Sequence, residues 1–118
     1  MADYDMNVYY NPEKHGLKVL GEIDTADSYE FCMLVVWERE EDGALFWDTD
    51  SGCSCPSPFE DADSVAQLTR IDDASEFASE ARKWLRESSY SGVMADDRDA
   101  LERLIRKVQR KARKVAAA

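Results

Sequence analysis

The stretch whose reading decides the fold is Tyr29-Glu30-Phe31-Cys32-Met33-Leu34-Val35-Val36-Trp37-Glu38. In an extended chain Tyr29, Phe31, Met33, Val35 and Trp37 share one face, and Glu30, Cys32, Leu34, Val36 and Glu38 share the other, because side chains alternate across a strand. The second face is polar only at its ends. The middle of this strand is therefore covered on both sides, as a central strand is. Its apolar run, Phe31–Trp37, is the longest in the chain and falls far short of the roughly 20 residues that cross a bilayer, so the sequence reads as that of a protein outside the membrane.

Working outward, Glu40-Glu41-Asp42-Gly43 supplies a turn, with glycine where a positive φ costs least, and Ala44–Trp47 returns as the partner strand of a hairpin. Upstream, Leu17, Val19 and Ile23 alternate with Lys18 and Glu22 as a half-buried strand, a pattern blurred at Leu20-Gly21. Val8-Tyr9-Tyr10, ended by Asn11-Pro12, is expected to add an edge strand. Downstream, Ser51–Pro58 holds one Gly, two Pro, three Ser and two Cys and reads as a shaped loop without regular structure. Residues 61–71 give a mixed signal, in which Val65, Leu68 and Ile71 fit either a short helical turn or an irregular packed segment.

Helical periodicity then takes over. Over 72–90, Asp72 or Asp73 serves as N-cap with Glu76 near N3, and Ala74, Phe77, Ala78, Ala81, Trp84 and Leu85 form one stripe. Over 96–115 the stripe is Leu101, Leu104, Ile105, Val108, Ala112 and Val115, with Met94 placed to act as a hydrophobic staple. Strands first and helices after predict an α+β fold. The expectation is a single domain over 1–118: a small antiparallel sheet of three to four strands within residues 1–60, packed against a C-terminal two-helix hairpin.

The chain has 118 residues, 15 Lys plus Arg and 25 Asp plus Glu, a formal charge of −10. That sum hides a segregation. Residues 103–118 hold seven bases and no acid, while residues 1–102 hold all 25 acids and eight bases, so 8 − 25 = −17 stands against +7. The basic block complements the negative end of its own helix, and it is also a surface for docking on the acidic body or on an acidic partner. A body this acidic repels nucleic acid, so direct nucleic-acid binding is not expected.

Trp47, at a strand end beside the loop Asp48–Glu60, is the best candidate for an interface anchor. With Asp48, Asp50, Phe59 and Glu60, and with Arg106, Arg110 and Arg113 of the basic block, it makes up the candidate interaction surface. Three chemistries compete in the loop. Asp48 and Asp50 alternate as calcium ligands do, but Gly52 arrives at the fifth position and Phe59 stands at the twelfth. The C-x-C pair Cys53 and Cys55 supplies two thiolates for zinc, with only Cys32 and His15 left to complete four ligands. Thiol chemistry lacks a nearby cation to lower a thiol pKa. Against these stands a loop whose cysteines and prolines only set its path, with Phe59 anchoring it to the core. No Gly-rich phosphate loop, nucleophile elbow or H-E-x-x-H arrangement occurs, and no cofactor is implied, so the chain reads as non-enzymatic.

The order Tyr10-Asn11-Pro12-Glu13, Gly16-Leu17, Gly21-Glu22, Tyr29, Phe31, Val36-Trp37, Asp42-Gly43, Asp50-Ser51-Gly52-Cys53-Ser54-Cys55-Pro56 and Pro58-Phe59-Glu60 resembles a family of small uncharacterised proteins from actinobacteriophages, in particular phages of mycobacteria. The resemblance covers roughly the first 70 residues, and its most specific part is the D-S-G-C-S-C-P-x-P-F-E string. It implies a phage origin and a host-cytoplasm setting, with the loop as the family's hallmark, and carries over no catalytic residue. Asp3 and Asp5 stand where a secretory signal would be basic, in line with that setting. The functions expected are an acidic protein-protein interaction module with a host or phage protein as partner and self-association as a possibility; a zinc or thiol module; and a DNA mimic that occupies a nucleic-acid-binding host protein.

Overall fold

The computed structural model describes residues 6–26, 30–53, 58–88 and 92–117. Its architecture is α+β: an antiparallel sheet in the order β1-β2-β3-β4, formed by β1 (Leu17–Asp24), β2 (Glu30–Arg39), β3 (Leu45–Cys53) and β4 (Thr69–Arg70), followed by α1 (Ala74–Glu87) and α2 (Ala95–Ala117). Short 3-10 helices at Pro12–His15 and Val65–Gln67 precede β1 and β4. The two long helices cover one face of the sheet. The N-terminal segment and residues 58–68 cover the other.

β2 is central, and both of its faces are buried. Leu34 and Val36 pack with Leu20, Ile23, Leu45, Phe77, Ala81, Leu85, Leu101, Ile105 and Val108 in the helical layer. Phe31, Met33, Val35 and Trp37 pack with Val8, Leu17, Phe46, Phe59, Ala62 and Leu68 on the opposite side. The β2–β3 turn is as expected, with Gly43 at φ 74° and Asp42 taking the Ala44 N–H at 3.0 Å.

The blur at Leu20-Gly21 is a β-bulge: Val19 pairs with Trp37 and Gly21 with Val36, so Leu20 is the extra residue. A bulge shifts the alternation by one, so Leu17 faces the loop layer while Leu20 and Ile23 face the helices. Val19 is left 37% exposed. Lys107 of α2 donates to the bulged Leu20 carbonyl at 3.0 Å, and Gly21 lets α2 come close, for a β-carbon there would stand 2.6 Å from Leu104 Cδ1.

Three expectations are corrected. Val8-Tyr9-Tyr10 is a turn and not an edge strand, because the buried Asn7 side chain accepts the Tyr9 and Tyr10 N–H groups at 2.8 and 3.0 Å and donates to the Phe59 carbonyl at 2.7 Å. Regular structure does not stop before Ser51: β3 continues to Cys53, since ten-residue β2 offers a ladder partner for every residue up to the pair Glu30–Cys53, which outweighs local turn propensity. Met94 does not act as a staple, being 67% exposed. In the mixed segment Ser64 and Gln67 form a capping box around the 3-10 turn, and Asp73 is the N-cap of α1, accepting from Ser75 and Glu76 N–H.

Candidate functional site

The sheet sorts the candidate residues. Cross-strand partners share a face, so Asp48 and Asp50, paired with Val35 and Met33, stand on the loop-layer side with Phe59 and Glu60. Trp47 pairs with Val36 and faces the helices, where its ring meets Phe77 edge-on at 5.4 Å. The surface expected to run from Trp47 to Phe59 is therefore two surfaces separated by the sheet. The alternation visible in Trp47-Asp48 held this information, once β3 is known to continue past Trp47.

On the loop side, a cleft of about 340 Å³ is lined by Phe31, Asp48, Asp50, Ser51, Glu60 and Asp61 among others. Phe59 is one wall, only 4% exposed, held at φ 58° and packed against Tyr9 and Trp37 at 5.3 and 5.7 Å. Its N–H donates to Asp50 Oδ2 at 2.7 Å, so Asp50 ties this loop to β3. Half-burial, with help from the Asp50 charge, raises the Asp48 carboxyl pKa from its ordinary value. Residues 54–57, including Cys55, lie outside the described residues, as does the side chain of Cys53.

Of the proposed zinc ligands, Cys32 and His15 are not drawn together. Cys32 lies near the far end of the β1–β2 ladder, its carbonyl accepting the Thr25 N–H, whereas His15 precedes β1 and lies with Nε2 2.6 Å from the Met6 carbonyl. The eight residues of β1 place about 26 Å of strand between them, so they cannot ligate one ion. Among the described residues no group of three or more His, Cys, Asp or Glu side chains is placed to hold a metal.

The basic helix divides in two. Two of its lysines turn to the sheet: Lys107 reaches the Leu20 carbonyl, and Lys111 lies 3.4 Å from Glu38, whose other oxygen is 3.3 Å from Lys18. Glu38 is buried, and the Lys18 contact is an ion pair without hydrogen-bond alignment. Arg103, Arg106, Arg110 and Arg113 are exposed and at spacings of three and four residues form one stripe about 15 Å long on the outer face. Beside the stripe, Glu102 is held by Arg82 of α1 in two hydrogen bonds of 2.8 and 2.9 Å, which lower its pKa. A second groove, of about 390 Å³, runs along α1 between Trp47, Phe77 and the acids Asp72, Asp73, Glu76 and Glu80.

These features define a small α+β domain with an acidic cleft on one side of its sheet and an arginine stripe on the other. Residues 6–111 match the domain of unknown function DUF7574, and the chain belongs to that family. No curated protein and no solved structure matches it. No helix among the described residues is long and apolar enough to cross a membrane.

Proposed function

We propose that the chain is a non-enzymatic accessory module, of phage origin and at work in the host cytoplasm, that binds a protein partner by charge. The observation that carries the reading is the division of α2. Lys107 and Lys111 serve the fold, while Arg103, Arg106, Arg110 and Arg113 have no ion-pair partner among the described residues. Four aligned guanidinium groups suit an acidic protein surface, to which each offers a planar, two-pronged donor. The D-S-G-C-S-C-P-x-P-F-E string and the resemblance it carries support the phage setting.

The test is affinity capture from host lysate with wild type and Arg106→Glu/Arg110→Glu. Truncation before Arg103 is unsuitable, because it would remove Leu104, Ile105 and Val108 from the core. The expected result is a partner retained by wild type at about 0.1 M salt, weakened at higher ionic strength, and lost from the variant while its thermal unfolding is unchanged. A partner captured equally by both proteins, or none captured by either, refutes the role given to α2.

A further inference from the structure

We propose that the open edge of β3 at Thr49–Ser51 takes an extended basic peptide of a partner protein as an added strand. β4 is two residues long and pairs only with Phe46 and Trp47, yet β3 continues to Cys53. The Arg39 N–H donates to the Ala44 carbonyl and the Ile71 N–H to the Leu45 carbonyl, both at 2.8 Å. By antiparallel alternation Leu45, Trp47, Thr49 and Ser51 thus turn their backbone groups away from β2. Beyond Trp47 no described residue fills the ladder positions opposite them. Among the described residues none continues β4 along this edge, because the capping box at Ser64 and Gln67 holds residues 64–67 in a 3-10 turn.

In place of a strand partner, the Thr49 and Ser51 N–H groups use the side chains of the residues just before them, Asp48 Oδ1 at 2.8 Å and Asp50 Oδ1 at 3.0 Å. An incoming strand offers carbonyls to those N–H groups, and its basic side chains take over the released carboxylate oxygens. Thr49 and Ser51 of this edge line the 340 Å³ cleft, together with Gln67. The occupant's chemistry follows from charge. Among the described residues, the ionisable ones lining the cleft are Asp48, Asp50, Glu60 and Asp61, with no base among them. A second copy offering the same edge is repelled by these carboxylates, a usual guard against edge-to-edge pairing. A strand with Lys or Arg at every second position sets all of them on the Asp48 and Asp50 side, with its remaining side chains beside Thr49 and Ser51.

The probe is the peptide Lys-Val-Lys-Val-Lys-Val-Lys, added to the full chain and followed by amide hydrogen exchange and by titration. Binding is expected to slow exchange at Thr49 and Ser51. Glu60→Lys/Asp61→Lys, which spares the Asp50 clamp on Phe59, should weaken it about tenfold, and Asp48→Asn, which removes a single charge, should weaken it less. The same peptide with Pro for Val, unable to donate ladder hydrogen bonds there, should bind far more weakly. Arg106→Glu/Arg110→Glu should bind like wild type, which separates this edge from the role proposed for α2. Absence of binding at millimolar peptide, equal binding of the proline peptide, or protection that maps elsewhere overturns the proposal.

Discussion

The close approach of α2 to the β-bulge makes Gly21→Ala the most informative single change in the core. Gly21 has an ordinary negative φ region open to alanine, so backbone strain does not enter, and in a strand alanine is favoured over glycine by roughly 0.5–1 kcal/mol. Against this, the new methyl would stand 2.6 Å from Leu104 Cδ1, where ordinary contact begins at 3.4 Å. Leu104 is 6% exposed and sits among Leu101, Ile105 and Val108, so it cannot simply swing into solvent. Overpacking of this kind costs about 1–3 kcal/mol, and the net expectation is a loss of about 1–2 kcal/mol. The assay is urea unfolding of wild type, Gly21→Ala, Leu104→Ala and the double variant. Leu104→Ala alone leaves a cavity and should cost about 2–4 kcal/mol, but in the double variant the new methyl enters space the leucine has vacated. The two changes should therefore couple by at least about 1 kcal/mol. A neutral or stabilising Gly21→Ala, or a cycle with no coupling, would show that α2 does not rest on the bulge as described.

The other predictions concern polar groups. Asn7→Ala leaves the Phe59 carbonyl and the Tyr9 and Tyr10 N–H groups without their partner and should cost about 2–3 kcal/mol in the same assay. Lys107→Met removes the bond to Leu20 and should cost about 1 kcal/mol, whereas Arg106→Met should leave stability unchanged; equal effects would contradict the division of α2. Arg82→Met frees Glu102, whose lowered pKa is a stabilising contribution present above the unfolded carboxylate pKa and lost as pH falls through the folded one. The variant should therefore be less stable than wild type at pH 7 by under about 1 kcal/mol, the pair being exposed, and the difference should vanish in acid. Asp48 has the opposite sign: its raised pKa favours the protonated fold, so Asp48→Asn should unfold at a higher temperature than wild type near pH 7, and that advantage should shrink as pH drops below the carboxylate range.

The architecture was legible because its elements carry strong periodic signals. The two faces of Phe31–Trp37 placed the central strand, and the stripes around Phe77 and Leu101 placed the helices that cover it. What stayed hidden was set by contacts distant in the chain. The Leu20 bulge is stabilised by Lys107, 87 residues away, and the extension of β3 to Cys53 by the length of β2. The turn at Val8–Tyr10 depends on an asparagine bonded to Phe59, 52 residues on. Within the candidate site, residue types were recognised, but placing Trp47 with Asp48 ignored an alternation that no composition argument can see.

That alternation also changes the meaning of the charge segregation. Along the chain, +7 follows −17, which suggests a basic tail free to fold back on an acidic body. In three dimensions Lys107 and Lys111 do so, at Leu20 and Glu38, and they are drawn in because α2 must bury Leu104, Ile105 and Val108 against β1. The arginines follow the opposite face of the same helix and are left outside by its periodicity. Asp48 and Asp50 are carried to the far side of the sheet by the pleat of β3. With the sheet and its two cores between them, the cleft and the stripe are held on opposite faces, where neither can neutralise the other within one molecule.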